Sequence, residues 1–107
     1  NKMRDFTYVS DIVNGSILAS TKGSGVYNLG TNNPITVNQM VSTIEKLVGE
    51  KIQKKYVKSP TGDVQKTHAN ISKAQKELGY SPNMLFEDGV RNCIKWCIET
   101  QNIISKI

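Results

Sequence analysis

Few residues in this chain are of a type and spacing that could do chemistry by themselves. The single histidine, His68, lies in a polar stretch far in sequence from either cysteine, so no nucleophile–base pair is visible around it. Unsupported, it reads as an exposed loop residue. Cys93 and Cys97 are four residues apart and would share one helix face. Tetrahedral zinc would need two more ligands, and beside carboxylates the chain offers only His68. The pair therefore reads as small, buried apolar residues of a reduced, cytoplasmic protein. The one Gly-x-Gly, Gly23-Ser24-Gly25, precedes a strand-like run. A dinucleotide site needs the opposite order, strand then glycine turn then helix, so that backbone N–H groups meet the pyrophosphate. No tyrosine has a lysine four residues later, and no P-loop is present. These residues predict no catalytic group, no cofactor-binding turn and no metal site.

Charge is the next clue. Fourteen Lys and Arg against nine Asp and Glu leave +5, which favours anionic partners. The basic residues are scattered except at Lys51, Lys54, Lys55 and Lys58. That run holds a single aromatic, Tyr56, and no RNA-binding signature, so no nucleic-acid partner is expected. No stretch of 18 apolar residues is present, and no membrane partner is expected. No apolar run follows the first residues, so no secretory signal is visible. A length of 107 residues suits one small domain and falls short of a two-domain enzyme.

The elements that must position any site follow from periodicity. Asp5 to Val9, rich in aromatic and β-branched residues, predicts a short extended piece. Ser10 would cap a helix from about Asp11 to Ser20. Val26 to Leu29, between Gly25 and Gly30, predicts a strand apolar on both faces, of the kind buried in a larger parallel sheet. Thr36 and Gln39 form a capping box for the best-specified helix, whose stripe is Val37, Met40, Val41, Ile44, Leu47 and Val48. Gly49 would stop it. Ile52 to Val57 is a polar strand candidate. Asn70 caps a short helix ending at Gly79, and a last helix runs from about Phe86 to Gln101. The result is a mixed α/β chain whose own strands are too few to complete the sheet that Val26 to Leu29 asks for.

Three segments, taken together, resemble the C-terminal part of NAD-dependent sugar-nucleotide epimerases and dehydratases, the extended short-chain dehydrogenase/reductase family. The first is Arg4-Asp5-Phe6-Thr7-Tyr8-Val9-Ser10-Asp11-Ile12-Val13. The second is Val26-Tyr27-Asn28-Leu29-Gly30, followed by a capped helix. The third comprises Gly62-Asp63-Val64, Ile71-Ser72-Lys73-Ala74, Leu78-Gly79-Tyr80, Pro82 and Glu87-Asp88-Gly89-Val90. Each is a weak signal alone. In this order, over residues 4 to 98, they are specific. The likeness is nearest to epimerases that invert C4 of UDP-linked sugars such as UDP-glucuronate.

The resemblance implies a fold and a set of roles. The fold would be the last strand and helix of a Rossmann-like domain plus a helical, short-stranded substrate-binding subdomain. Residues 1–107 would be the C-terminal substrate-binding region, and the N-terminal NAD-binding domain with its catalytic Tyr and Lys would be absent. NAD would serve the full-length enzyme and would not bind this chain alone. Arg4 matches the arginine that contacts the substrate diphosphate, and a guanidinium fork suits phosphate oxygens. Its plainer reading is a surface arginine paired with Asp5 or Asp11. Asp63 matches the aspartate that hydrogen-bonds the ribose, against a plain turn residue after Gly62. Many relatives carry a second arginine three residues before that aspartate. Here the position is Pro60, and Lys58 is the candidate replacement. A competing reading is a non-catalytic nucleotide- or anion-binding module. A homodimer, if one forms, would use apolar surface at Val26 to Leu29 or at Trp96.

Overall fold

The structure, a computed structural model, describes residues 1–105, with side chains described through Gln101. Two short strands form one antiparallel pair among them. β1 is Met3–Arg4 and β2 is Ile35–Thr36, with Met3 opposite Thr36 and Arg4 opposite Ile35. On its other edge Met3 bridges Lys66 in parallel. The Met3 N–H donates to the Gln65 carbonyl at 2.9 Å, and the Thr67 N–H donates to the Met3 carbonyl at 3.1 Å. Thus β1 lies between two segments distant in sequence. Both strands are too short, and their partners too remote, to leave a period-two signal. The expected extended piece is displaced accordingly: pairing covers Met3–Arg4 and not Asp5 to Val9.

Four helices carry the rest of the regular structure among the described residues. α1 spans Val9–Lys22. It begins before Ser10, because the Tyr8 carbonyl already accepts from the Asp11 N–H at 3.1 Å. Tyr8 is the N-cap and contributes no side-chain cap. α2 spans Val37–Val48 and has the capping box read from the sequence. The Thr36 hydroxyl accepts from the Gln39 N–H at 3.0 Å, and the Gln39 side chain accepts from the Thr36 N–H at 2.7 Å. Gly49 ends it at φ 77°, a left-handed conformation that side chains disfavour. α3 spans Ser72–Leu78, and Asn70 accepts from the Ser72 N–H at 3.0 Å. α4 spans Phe86–Ser105.

The core is small and sits between α1 and α3. Ile71, Ala74, Leu78 and Tyr80 are buried, with Leu18, Ala19, Tyr27, Leu29 and Ala69 packed around them. Gly15 lets α1 approach closely. A Cβ there would lie 2.7 Å from Leu29 Cδ1 and 3.2 Å from Tyr80 Cδ1. The Tyr80 hydroxyl donates to the Gly30 carbonyl at 2.7 Å, which satisfies its polar tip inside the core. The radius of gyration is 16.6 Å, against roughly 13 Å for a compact domain of this length. The described chain is therefore open, with much apolar surface outside any core.

Two strand expectations are corrected. Val26 to Leu29 has no ladder partner among the described residues. Val26 is 83% exposed, and its carbonyl is held by the Lys73 ammonium at 2.7 Å. Side chains suited to a buried strand cannot make one where no neighbouring strand supplies the hydrogen bonds. Ile52 to Val57 is likewise irregular and exposed throughout. It has no apolar face to bury, so pairing gains nothing from packing. The cysteines are corrected too: Cys93 and Cys97 are both exposed. They line an open apolar groove between α2 and α4 with Met40, Ile44, Val90 and Ile94. The spacing placed them on one face, as expected, but nothing covers that face among the described residues.

Candidate functional site

The site grows out of β1. Side chains alternate along an extended segment, so Lys2 and Arg4 project to one side and Met3 to the other. The parallel bridge from Met3 to Lys66 then brings the preceding loop, with Asp63, alongside that cationic side. Asp63 and Val64 sit beyond Gly62, whose φ of 85° turns the chain.

Arg4 and Asp63, expected as site residues from two separate segments, meet here. The Arg4 guanidinium donates to the Asp63 carboxylate at 3.2 Å and to the Val64 carbonyl at 2.7 Å. A third N–H reaches the Met3 carbonyl at 2.7 Å. These contacts use both N–H groups of Nη2 and one of Nη1, and leave the Nε N–H and the second Nη1 N–H as further donors. The Lys2 ammonium forms a second ion pair with Asp63. The Arg4 side chain is 24% exposed and that of Asp63 38%, so both lie within reach of a ligand at the surface.

The plainer reading of Arg4 as one half of an ion pair is met with a different partner, Asp63. Neither Asp5 nor Asp11 is its partner, because both carboxylates are spent on backbone N–H groups. Asp5 accepts from the N–H groups of Thr31 at 3.0 Å, Asn32 at 3.1 Å and Ala69 at 3.3 Å, and from the Thr31 hydroxyl. Burial by itself would raise the Asp5 pKa. The Thr31 hydroxyl and these N–H groups outweigh burial and hold it below its ordinary value. Asp11 is fully buried and accepts from the Asn83 N–H at 3.1 Å and the Met84 N–H at 3.3 Å. It fastens α1 to the segment before α4. Sequence reading missed both roles, although both aspartates stand in the Arg4-to-Val13 motif. The visible signal was Asp11, an acid at the start of a predicted helix with no basic residue three or four positions away.

Lys58 stands differently. It lies in the exposed, irregular stretch before Asp63, and no ion pair among the described residues joins it to the Arg4–Asp63 cluster. Lys2, which the motif reading passed over, occupies the place beside Arg4. His68 is exposed and shares a hydrogen bond of 2.6 Å with the Asn32 side chain. Among the described residues no group of three His, Cys, Asp or Glu could hold a metal, and no helix is long and apolar enough to cross a membrane.

The one Gly-x-Gly does not fit a dinucleotide. Gly23 is the C-terminal cap of α1, its N–H spent on the Ala19 carbonyl at 2.9 Å. Gly23-Ser24-Gly25 therefore leaves a helix and opens none, and it offers a pyrophosphate no helix N-terminus.

Comparison with known proteins gives this arrangement its setting. The family model described as GDP-mannose 4,6 dehydratase matches residues 1–93. The UDP-glucuronate 4-epimerase of Thermodesulfobacterium geofontis is 40% identical over 107 residues, covering 97% of this chain and 33% of that protein. UDP-glucuronate 4-epimerase 5 of Arabidopsis thaliana is 42% identical over 109 residues, covering 87% of this chain and 25% of the relative. The UDP-glucose 4-epimerase of Thermotoga maritima, solved with UDP-glucose, superposes at a TM-score of 0.88 with 32% identity, covering 94% of this chain and 33% of that one. The UDP-glucuronic acid 4-epimerase of Bacillus cereus, solved with UDP-glucuronic acid and NAD, gives 0.78 at 33% identity, covering 83% and 30%. The chain thus spans about a third or less of the length of the relatives it matches. With the family model matched over most of its length, with these relatives and with this mixed α/β fold, the chain belongs to the NAD-dependent sugar-nucleotide epimerase/dehydratase family.

Proposed function

We propose that this chain is the UDP-sugar-binding portion of an NAD-dependent sugar-nucleotide 4-epimerase, inactive by itself, with Arg4 on the diphosphate and Asp63 on the ribose. One observation carries the reading: Arg4 and Asp63, 59 residues apart, converge in a single surface cluster on the face of β1. A guanidinium gives charge-assisted, directional bonds to phosphate oxygens. A carboxylate can accept from both hydroxyls of a ribose while still bonded to Arg4. In this role the two residues hold the nucleotide and leave the sugar free to turn. They touch no reacting atom. NAD supplies hydride-transfer chemistry where it is bound, and no step of it is routed through Gly23-Ser24-Gly25, which offers the cofactor no helix N-terminus. A cytoplasmic location belongs to the same reading. So does a homodimer through the exposed Val26 or Trp96, which sedimentation would detect.

Calorimetric titration of the chain with UDP tests the proposal. UDP should bind, and Arg4→Ala should weaken it at least about tenfold, the loss expected for a hydrogen bond to a charged group. Absence of UDP binding, or an unchanged affinity in Arg4→Ala, would overturn it.

A further inference from the structure

The cluster on β1 holds a cation that the motif reading did not include. We propose that Lys2 is the second cation of the diphosphate site, a positioning charge that works with Arg4; this rests on the UDP-sugar reading above. Four observations support it. Lys2 immediately precedes β1 and Arg4 is its second residue, two positions on, so extended backbone sends both to one side. Both reach the same carboxylate, Asp63, which fixes the two heads next to each other. The Lys2 side chain is only 17% exposed, so its stem is packed and its head is held before any ligand arrives. Two cations on one carboxylate leave the cluster net positive, which an anion entering it would offset.

The two side chains would divide the work by their chemistry. Arg4 supplies directional N–H donors held in a plane. Lys2 supplies a compact charge that tolerates whichever phosphate oxygen faces it. Lys58 is displaced from the role that the sequence suggested for it, because it sits on the exposed stretch outside this contact network. The Lys2 main chain has a separate duty, its carbonyl accepting from the Val37 N–H at 2.8 Å. Substituting the side chain therefore leaves the link to α2 in place.

The test is a set of UDP titrations on Lys2→Gln, Lys2→Arg and Lys58→Gln, with amide spectra to confirm that each variant keeps the parent fold. Lys2→Gln should weaken UDP about tenfold, Lys2→Arg should restore it to within about threefold, and Lys58→Gln should stay within about twofold of the parent. If Lys2→Gln does not fold, Lys2→Met, which keeps the packed stem without the charge, takes its place: a loss of about tenfold supports the assignment and an unchanged affinity overturns it. An unchanged affinity in Lys2→Gln overturns it. So does a tenfold loss in Lys58→Gln, which would return the second charge to Lys58. A parent chain that does not bind UDP would remove the UDP-sugar reading itself, a result distinct from a parent that binds and a Lys2→Gln that binds equally well.

Discussion

The α1–α3 half and the α2–α4 half of this molecule differ in the opposite sense to their sequences. α2 has the clearest local code in the chain, with a reciprocal capping box, a continuous apolar stripe and a left-handed glycine stop. Yet α2 buries no residue, and its stripe faces the open groove shared with α4. α3 is only seven residues long, but it carries Ala74 and Leu78 into the one buried core of the described residues. Local signals decide where a helix starts and stops. Burial is decided by what arrives from elsewhere in the chain: α1, Leu29 and Tyr80 converge on α3, while α2 and α4 meet along one open side. The α2–α4 pair is also joined by the Lys46–Glu87 ion pair at 2.9 Å. That pair is solvent-exposed and contributes little.

The contrast can be broken by mutation. Leu78→Ala should cost about 2–5 kcal/mol in denaturant unfolding, because it leaves a cavity in the only core of the described residues. Ile44→Ala, on the α2 stripe, should cost less than about 1.5 kcal/mol, because that side chain already meets solvent. Equal losses would show that the groove is closed in solution. A smaller effect concerns acid. The Asp5 carboxyl is held below its ordinary value of 3.8, so it binds protons more weakly folded than unfolded. Its contribution to stability is therefore complete above that pH and is lost as the pH falls below 3.8 through the folded-state value. Asp5→Asn should flatten that acid limb of the stability curve, measured by melting between neutral and acid pH. Smallest is Thr36→Ala, which removes a cap of about 1 kcal/mol and should lower α2 helicity while the α1–α3 core persists. A simultaneous loss of both would mean that the two halves unfold as one unit.

Legibility in the sequence followed the same division. The capping box at Thr36 and Gln39, and the glycine stops at Gly49 and Gly79, were readable because each depends on residues a few positions apart. The strands were not readable. β1 pairs with residues 35–36 and with Lys66, and no local pattern announces either. Val26 to Leu29 misled for the complementary reason: its composition suits a buried strand, and its neighbours among the described residues provide no edge. At the site, Arg4 and Asp63 were reached through family likeness, since each alone reads as a surface charge. Lys2 was within reach of plain strand alternation once Arg4 was singled out, but it lay outside the motif that carried the likeness.

The central claim is that the face of β1 bearing Arg4, together with Asp63, receives a UDP-sugar. Amide shift mapping during titration with UDP-glucuronate tests it most directly. Saturable shifts concentrated at Lys2 to Asp5 and Gly62 to Val64, lost in Arg4→Ala, are the expected result. Shifts confined to the lysines at 51–58 or to the α2–α4 groove, with β1 silent, would contradict it.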